Sequence, residues 1–426
     1  MIVIIGLGTG GLYAARWISM HSRNEKITII EKRSYETYSP CSIPMVVEGK
    51  ISEKDIVHPF PKSKNTEVLT NHEAVEIDNV NKEVKVKNLG DGSERVIKYD
   101  SLIYSAGATP WLPPVEGVHL EGVFTVRTVE DAIRIKNWAE KSSKVLVVGA
   151  GAIGVEMAHA LRKRGLEVTI VEMLNWAFPT AIDRDMAKYV DEYLRKEGIR
   201  TIYGAKVEKI LGSQSVEGAI ISGEKEDFDM VIMSTGVRPN TGLLKDKVKL
   251  DDRGFVMVDE RMHTSDPSIY AIGDCVRTPY GVIQLATTAL NQAIVAAINA
   301  TGGDAKIRKP NGAFVSAFGG YEVASVGKME GVIGRGWSRV NPYSEEKVVM
   351  KIYVSEDGRI NGAQAVGPGA GSRIDILSAL IRTGGKVWDL AFMEKSYCPE
   401  LCELYDVIKI AAENAMRKLK IEKYEI

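Results

Sequence analysis

Apolar residues fall in short, separated runs along this chain, and two of the runs share one layout. Ile2–Ile5 is a continuous apolar tetrad, the pattern of a strand buried on both faces. The glycine turn Gly6-Leu7-Gly8-Thr9-Gly10-Gly11 follows, then helical periodicity over Leu12–Met20, then a second apolar run, Ile27–Ile30, stopping at Glu31. That order predicts a βαβ unit. The layout recurs as Val145–Val148, Gly149-Ala150-Gly151-Ala152-Ile153-Gly154 and Val168–Val171, which stops at Glu172. Its glycines lie a constant 143 residues beyond Gly6, Gly8 and Gly11, and its acid 141 beyond Glu31. A second repeat, offset by 129, relates Asp100, Ile103, Ser105, Gly107 and Pro110 to Asp229, Ile232, Ser234, Gly236 and Pro239. Two offsets that each hold internally predict two domains of one kind.

Each part of the unit has a use at a dinucleotide. Glycines at these spacings permit a tight turn, close approach to a pyrophosphate and close helix packing; the helix N-terminus offers N–H groups to phosphate. Glu31 and Glu172 stand where a carboxylate can accept from a ribose diol. A third signal is the buried run from Ser268 to Ile272 that ends at Gly273-Asp274, where a carboxylate can bind a polyol; a helix follows over 284–299. From about Lys309 the pattern alternates instead, as in Val348–Val354 and Gly362–Val366, and three helical segments close the chain. The expected class is α/β, two Rossmann-like domains followed by an α+β domain.

Composition narrows the partners. In 426 residues, 55 Lys and Arg against 56 Asp and Glu give a net charge of −1, which argues against a nucleic-acid binder. The most apolar long window, 145–161, is interrupted by glycines and Glu156, so no membrane span is expected. Met1 leads straight into a strand with no basic leader, and the expected location is the cytoplasm. Four cysteines in this length are too few for a disulfide framework.

These residues together resemble the two-dinucleotide flavoprotein disulfide reductases, over nearly the whole chain. Within them the chain looks most like the single-cysteine branch: coenzyme A disulfide reductases, NADH oxidases and peroxidases, and persulfide or polysulfide reductases. The resemblance implies a glutathione-reductase-type fold, with FAD on 1–112 and 244–307, NAD(P) on 113–243 and a dimerisation domain over 308–426. FAD contacts are then expected from Gly6, Gly8, Gly11, Glu31, Lys32, Ala106, Gly107, Gly273 and Asp274. Nicotinamide nucleotide contacts are expected from Gly149, Gly151, Ile153, Gly154, Glu156, Glu172 and Gly236. Glu172 favours NADH, while Arg162, Lys163 and Arg164 leave room for NADP(H). Relatives often carry an aromatic gate where Ala152 stands.

The resemblance also assigns the reacting atom. Cys41, in Tyr38-Ser39-Pro40-Cys41-Ser42-Ile43-Pro44, follows Glu31 by ten residues, and a thiolate there, at the start of a helical segment, is expected to be stabilised by the helix dipole and the flavin. No CxxxxC or CxxC pair surrounds it, so a single sulfur must cycle through a mixed disulfide, persulfide or sulfenic acid. Of six histidines none lies beyond His263, so the His–Glu base of glutathione-type relatives is missing. Thr9 replaces the histidine of peroxidases. Tyr397, in Tyr397-Cys398-Pro399-Glu400, and Tyr343 match tyrosines that the coenzyme A branch brings to the sulfur from the partner subunit.

Some positions depart from that branch. Pro40 replaces an asparagine, and Met20 and Leu69 replace basic contacts to coenzyme A, leaving His21, Arg23 and Lys26 as substitutes. Coenzyme A stays a candidate substrate or ligand; a smaller persulfide fits these losses better. No rhodanese-like extension follows, so a persulfide is expected to arrive by diffusion. Cys398 and Cys402, spaced i,i+4, are candidates for a sulfur relay, lack the extra ligands of a metal site, and Cys275 reads as packing. The expected activity is NAD(P)H-driven reduction of persulfide, polysulfide or coenzyme A disulfide by a homodimer with a shared site. The alternative is an NADH oxidase passing through a Cys41 sulfenic acid.

Overall fold

The structure is a computed structural model that describes residues 1–420 except Arg23 and Lys62. Its first sheet is fully parallel, in the order Ile269–Ala271, Ser101–Tyr104, Ile2–Ile5, Ile27–Ile30, Thr66–Leu69. Every residue of Ile2–Ile5 and Ile27–Ile30 is buried, which is why these strands read as unbroken apolar runs. The second sheet repeats the plan, in the order Val123–Phe124, Met230–Met233, Lys144–Val148, Glu167–Glu172, Ile199–Tyr203. The two internal repeats are thus neighbouring strands. Ile2–Ile5 pairs with Ser101–Tyr104, and Lys144–Val148 with Met230–Met233.

Helix α1, Thr9–His21, leaves the first glycine turn and packs on the helix Ala286–Ala300. Helix α2, Ile43–Glu48, carries the chain away from Cys41 and packs on α3, Val129–Ala139, and on α4, Ala152–Lys163. α3 opens on a capping box in which Thr128 and Asp131 satisfy each other's backbone N–H. The short strands Ala108–Pro110 and Val237–Pro239, the ends of the 129-offset repeat, pair antiparallel and join the two domains. Asn240 fastens the joint, donating from its side chain to Ala106 O and from its backbone to Gly107 O.

The third sheet is antiparallel, in the order Phe314–Phe318, Tyr321–Gly327, Ile360–Val366, Lys347–Val354, Val332–Arg339. Helices Ala370–Thr383 and Val407–Leu419 pack on it around the third core cluster. Where the sheet meets the second domain, Lys351 is buried between two acids at the start of α5, Arg184–Lys196. Its Nζ lies 2.5 Å from Asp183 and 2.9 Å from Asp185. Tyr353 also donates to Asp183, and Gln364 accepts from the Asp183 N–H. A buried lysine that loses its counter-charge is strongly destabilising. Asp183→Ala is therefore expected to lower stability by about 3 kcal/mol in urea unfolding. A change under about 0.5 kcal/mol would show that Asp185 alone neutralises the lysine.

The turn between Phe314–Phe318 and Tyr321–Gly327 also enters the second domain. At Gly319, φ +61°, a Cβ would lie 2.4 Å from both His159 Nε2 and the Tyr193 hydroxyl, so only glycine fits.

Candidate active site

Both glycine turns are built by the same close approach. A Cβ on Gly11 would sit 1.9 Å from Gly6 O, and one on Gly154 1.9 Å from Gly149 O. Gly8 and Gly151, by contrast, face open space. These two residues are the N-caps of α1 and α4, and neither helix has a side-chain cap there or an acid in its first turn. Two sets of helix N–H groups therefore point into open space, the arrangement that accepts a phosphate. The donor sets fit two dinucleotides.

The acids beyond the second strands are held in parallel ways. Glu172 accepts from Ala150 N–H and Leu174 N–H, each at 2.8 Å, which leaves lone pairs for a diol. Glu31 accepts from Leu7 N–H at 2.7 Å, from Arg33 N–H at 2.9 Å, and from the Arg33 guanidinium at 2.6 and 2.8 Å. Its acceptor positions are filled, so a ribose diol reaches Glu31 only by replacing the guanidinium, which stacks on Tyr38. Lys32 points elsewhere, to an ion pair with Glu73. Gly273 donates its N–H to Gln292, and Ile153 is exposed at the start of α4. Gly236 carries a positive φ and accepts from Trp111 N–H.

Cys41 lies in the 3-10 turn Pro40–Ser42 that leads into α2. It is exposed, whereas Cys275 is fully buried and turned toward Ile272 O. The groups that act on its thiol come from three distant segments: Glu156 on α4, Arg127 before α3, and Asp274 after the first sheet's last strand. Arg127 and Asp274 are paired at 3.2 Å, and Ser316 of the third domain donates to Glu156 at 2.6 Å. Although the residue keeps surface exposure, the surrounding chain partly desolvates its sulfur, and this pushes the thiol above its ordinary value. Glu156 and Asp274 add to the rise, and Arg127 opposes it. The chain's own groups, taken together, hold the thiol up rather than down. A 3-10 turn and a six-residue helix supply little dipole, and two acids outweigh one guanidinium. Burial likewise raises Glu156, to about 7, although Ser316 and the Ala317 N–H pull it back.

Other expected groups lie away from this cluster. Arg162, Lys163 and Arg164 end α4, at the opposite end from its glycine turn, and bond to Glu197, Leu166 O and Val47 O. They give no support to NADP(H) binding, and the acid at 172 stands without them. His21 stacks on Trp17, Leu69 is buried, Met20 is exposed, and Arg23 lies outside the described residues. Tyr343 and Tyr397 are exposed on two loops tied by Asn341 Nδ2 donating to Glu400 O at 3.0 Å. Leu401, Leu404 and Tyr405 are also left exposed. Cys398 and Cys402 share a single turn rather than a helix, Cys398 exposed and Cys402 buried.

Residues 1–293 match the pyridine nucleotide-disulphide oxidoreductase family, and residues 315–405 its dimerisation domain. The chain belongs to that family. It is 38% identical to an NADH oxidase of Methanocaldococcus jannaschii, over 98% of this chain and 99% of that one. It is 29% identical to a CoA-dependent NAD(P)H sulfur oxidoreductase of Pyrococcus furiosus, over 96% and 98%. Among solved structures, a NAD-dependent persulfide reductase from A. fulgidus superposes with a TM-score of 0.92 at 32% identity. That match covers all of this chain and 85% of the other.

Pyridine nucleotide-disulphide oxidoreductases use FAD and NAD(P)H, and this chain is an oxidoreductase of that kind with a dimerisation domain. Two features of its site escape sequence reading. Arg127 meets Asp274 across 147 residues, with no local motif to announce it. Phe178 and Phe314 wall a cleft of about 210 Å³ beside Gly151 and Ala152, so aromatic rings border this loop although Ala152 is not one. Phe178 holds φ at +53°, a rare value for a bulky residue, while donating its N–H to Ala150 O. Among the described residues no cluster of metal-binding side chains occurs, and no helix is long and apolar enough to cross a membrane.

Proposed function

We propose that this protein uses NADH to reduce a low-molecular-weight persulfide, polysulfide or coenzyme A disulfide, with Cys41 as its one redox sulfur. The observation that carries the reading is the cluster at Cys41. Cys41 is an exposed thiol at the turn before α2 that feels the charges of Arg127, Glu156 and Asp274, the first and last of these paired at 3.2 Å, while Cys275 is sealed in the core. In this reading 1–112 with 244–307 hold FAD, 113–243 hold the nicotinamide nucleotide, and 308–426 pair the subunits. FAD, bound along Gly6, Gly8, Gly11, Ala106, Gly107, Gly273 and Asp274, supplies two-electron exchange between NADH and the sulfur.

The chain's own groups do the rest. Cys41 as thiolate attacks a sulfane or disulfide sulfur; the new S–S bond forms as the old one breaks, and the departing thiolate takes the electron pair. Arg127 favours negative charge at the sulfur, and Glu156 holds or yields a proton near neutral pH. Tyr397 of the partner subunit and Tyr343 of the partner subunit complete the site, donating hydroxyls to the leaving sulfur. Their support is that both are exposed on loops held together within one protomer. Free cysteines throughout the described residues suit a reducing cytoplasm.

The similarity to an NADH oxidase favours a second reading, oxygen as acceptor with Cys41 passing through sulfenic acid. Anaerobic rapid mixing decides between them. Enzyme reduced by NADH is challenged in parallel with coenzyme A persulfide, coenzyme A disulfide and oxygen. Fast reoxidation by a sulfur substrate is expected; fast reoxidation by oxygen alone overturns the sulfur reading.

A further inference from the structure

Two acids expected at the flavin nucleotide, Glu31 and Asp274, are each held by an arginine, and the two pairings differ in kind. The Arg33 guanidinium spans the Glu31 carboxylate, Nε donating to Oε1 at 2.8 Å and Nη2 to Oε2 at 2.6 Å. The backbone N–H groups of Arg33 and Leu7 complete the set, and the carboxylate is buried. Arg127 reaches Asp274 through one contact of 3.2 Å, and both of those side chains keep part of their exposure. Tyr38 joins the two arginines. The Arg33 guanidinium lies over its ring, 4.3 Å from the centre, and the Tyr38 hydroxyl donates to Arg127 O at 2.8 Å.

A buried carboxylate is costly unless donors answer its charge. Arg33 answers with two N–H donors side by side, one to each oxygen, and the vicinal hydroxyls of a ribose present two O–H donors to the same pair. We propose that Arg33 competes with the adenosine ribose of FAD for Glu31 and thereby sets how tightly the chain holds its flavin. The exchange is two donors for two. The diol takes the side-chain positions, the Leu7 and Arg33 backbone N–H groups stay, and Glu31 is never left bare. The guanidinium keeps a seat when it yields the acid, because the face of Tyr38 holds it without needing the carboxylate, and Tyr35 offers a second ring at 5.5 Å. Arg127 is placed differently. A pairing through one contact leaves a carboxylate lone pairs for a polyol, so Asp274 requires no such exchange.

The inference rests on the reading that places the ribose of FAD at Glu31, and its test reads affinity rather than turnover. Holoenzyme is diluted in series, free FAD is separated by ultrafiltration and measured by its absorbance, and a Kd is obtained for each variant. Arg33→Met is expected to lower Kd about ten-fold, whereas a substitution that merely loosened the fold would raise it. Arg33→Lys, which offers a point charge instead of a fork, is expected to fall between the two and serves where methionine disturbs folding. In a Glu31→Gln background, Arg33→Met is expected to change Kd by less than about two-fold, since the charge both groups address is gone. An unchanged or raised Kd in Arg33→Met, or an equal tightening with Gln at 31, overturns the proposal. A crystal structure of the flavin holoenzyme tests the placing separately. Ribose hydroxyls away from Glu31 would remove that reading, whereas a ribose bound at Glu31 beside a guanidinium still spanning both oxygens overturns the competition alone.

Discussion

Cys41→Ser is expected to cut NADH consumption with a persulfide or disulfide by about 10³-fold or more, the scale on which enzymes lose a nucleophile. The FAD content should not change. A hydroxyl occupies the same exposed position at the 3-10 turn. The serine cannot form an S–S bond, so its loss acts on the sulfur step and spares NADH affinity. Steady-state kinetics with each sulfur substrate under nitrogen, beside oxygen consumption in air, makes the measurement. Retention of more than about a tenth of the sulfur-dependent rate would move the reacting thiol elsewhere, with exposed Cys398 the next to replace.

The second large effect concerns the nucleotide. Glu172 is fixed by two backbone N–H groups, and its free lone pairs suit a ribose diol. A 2′-phosphate there meets a carboxylate, and the neighbouring Met173 is exposed and uncharged. Replacing repulsion with a bidentate guanidinium changes both signs at once. Glu172→Ala with Met173→Arg is therefore expected to shift the ratio of kcat/KM for NADPH over NADH by about 10²- to 10³-fold, roughly 3–4 kcal/mol. Should the ratio move less than about five-fold, the 2′ position lies away from residue 172.

What the sequence shows of this molecule depends on the range of the force involved. The glycine turns are backbone constraints, satisfied by neighbours within a few residues, and Gly11 against Gly6 O is legible from spacing alone. Strands buried on both faces write themselves as Ile2–Ile5 and Ile27–Ile30. The 129-residue repeat reports a shared strand position, and it stays readable because both copies keep the residues that turn out of the sheet. Cys41 is different. Its local context, a helix start, suggests a stabilised thiolate, whereas its thiol answers to Glu156, Arg127 and Asp274, none of them near it in sequence. Charges that meet only after folding leave no periodicity behind. The same holds for Ser316, whose hydroxyl becomes informative only when its strand is laid along α4. Arg162, Lys163 and Arg164 fail for a related reason: proximity in sequence to the glycine turn concealed the length of the helix between them.

The bond from Ser316 to Glu156 spans 160 residues. During synthesis, the first two domains emerge with both glycine turns complete while Ser316 is still inside the ribosome. A chain at that stage has its nucleotide sites but lacks the hydroxyl that donates to Glu156. The final acidity of the Glu156 carboxylate is thus acquired only after translation of the last domain, and a chain truncated before Ser316 carries that carboxylate without its donor.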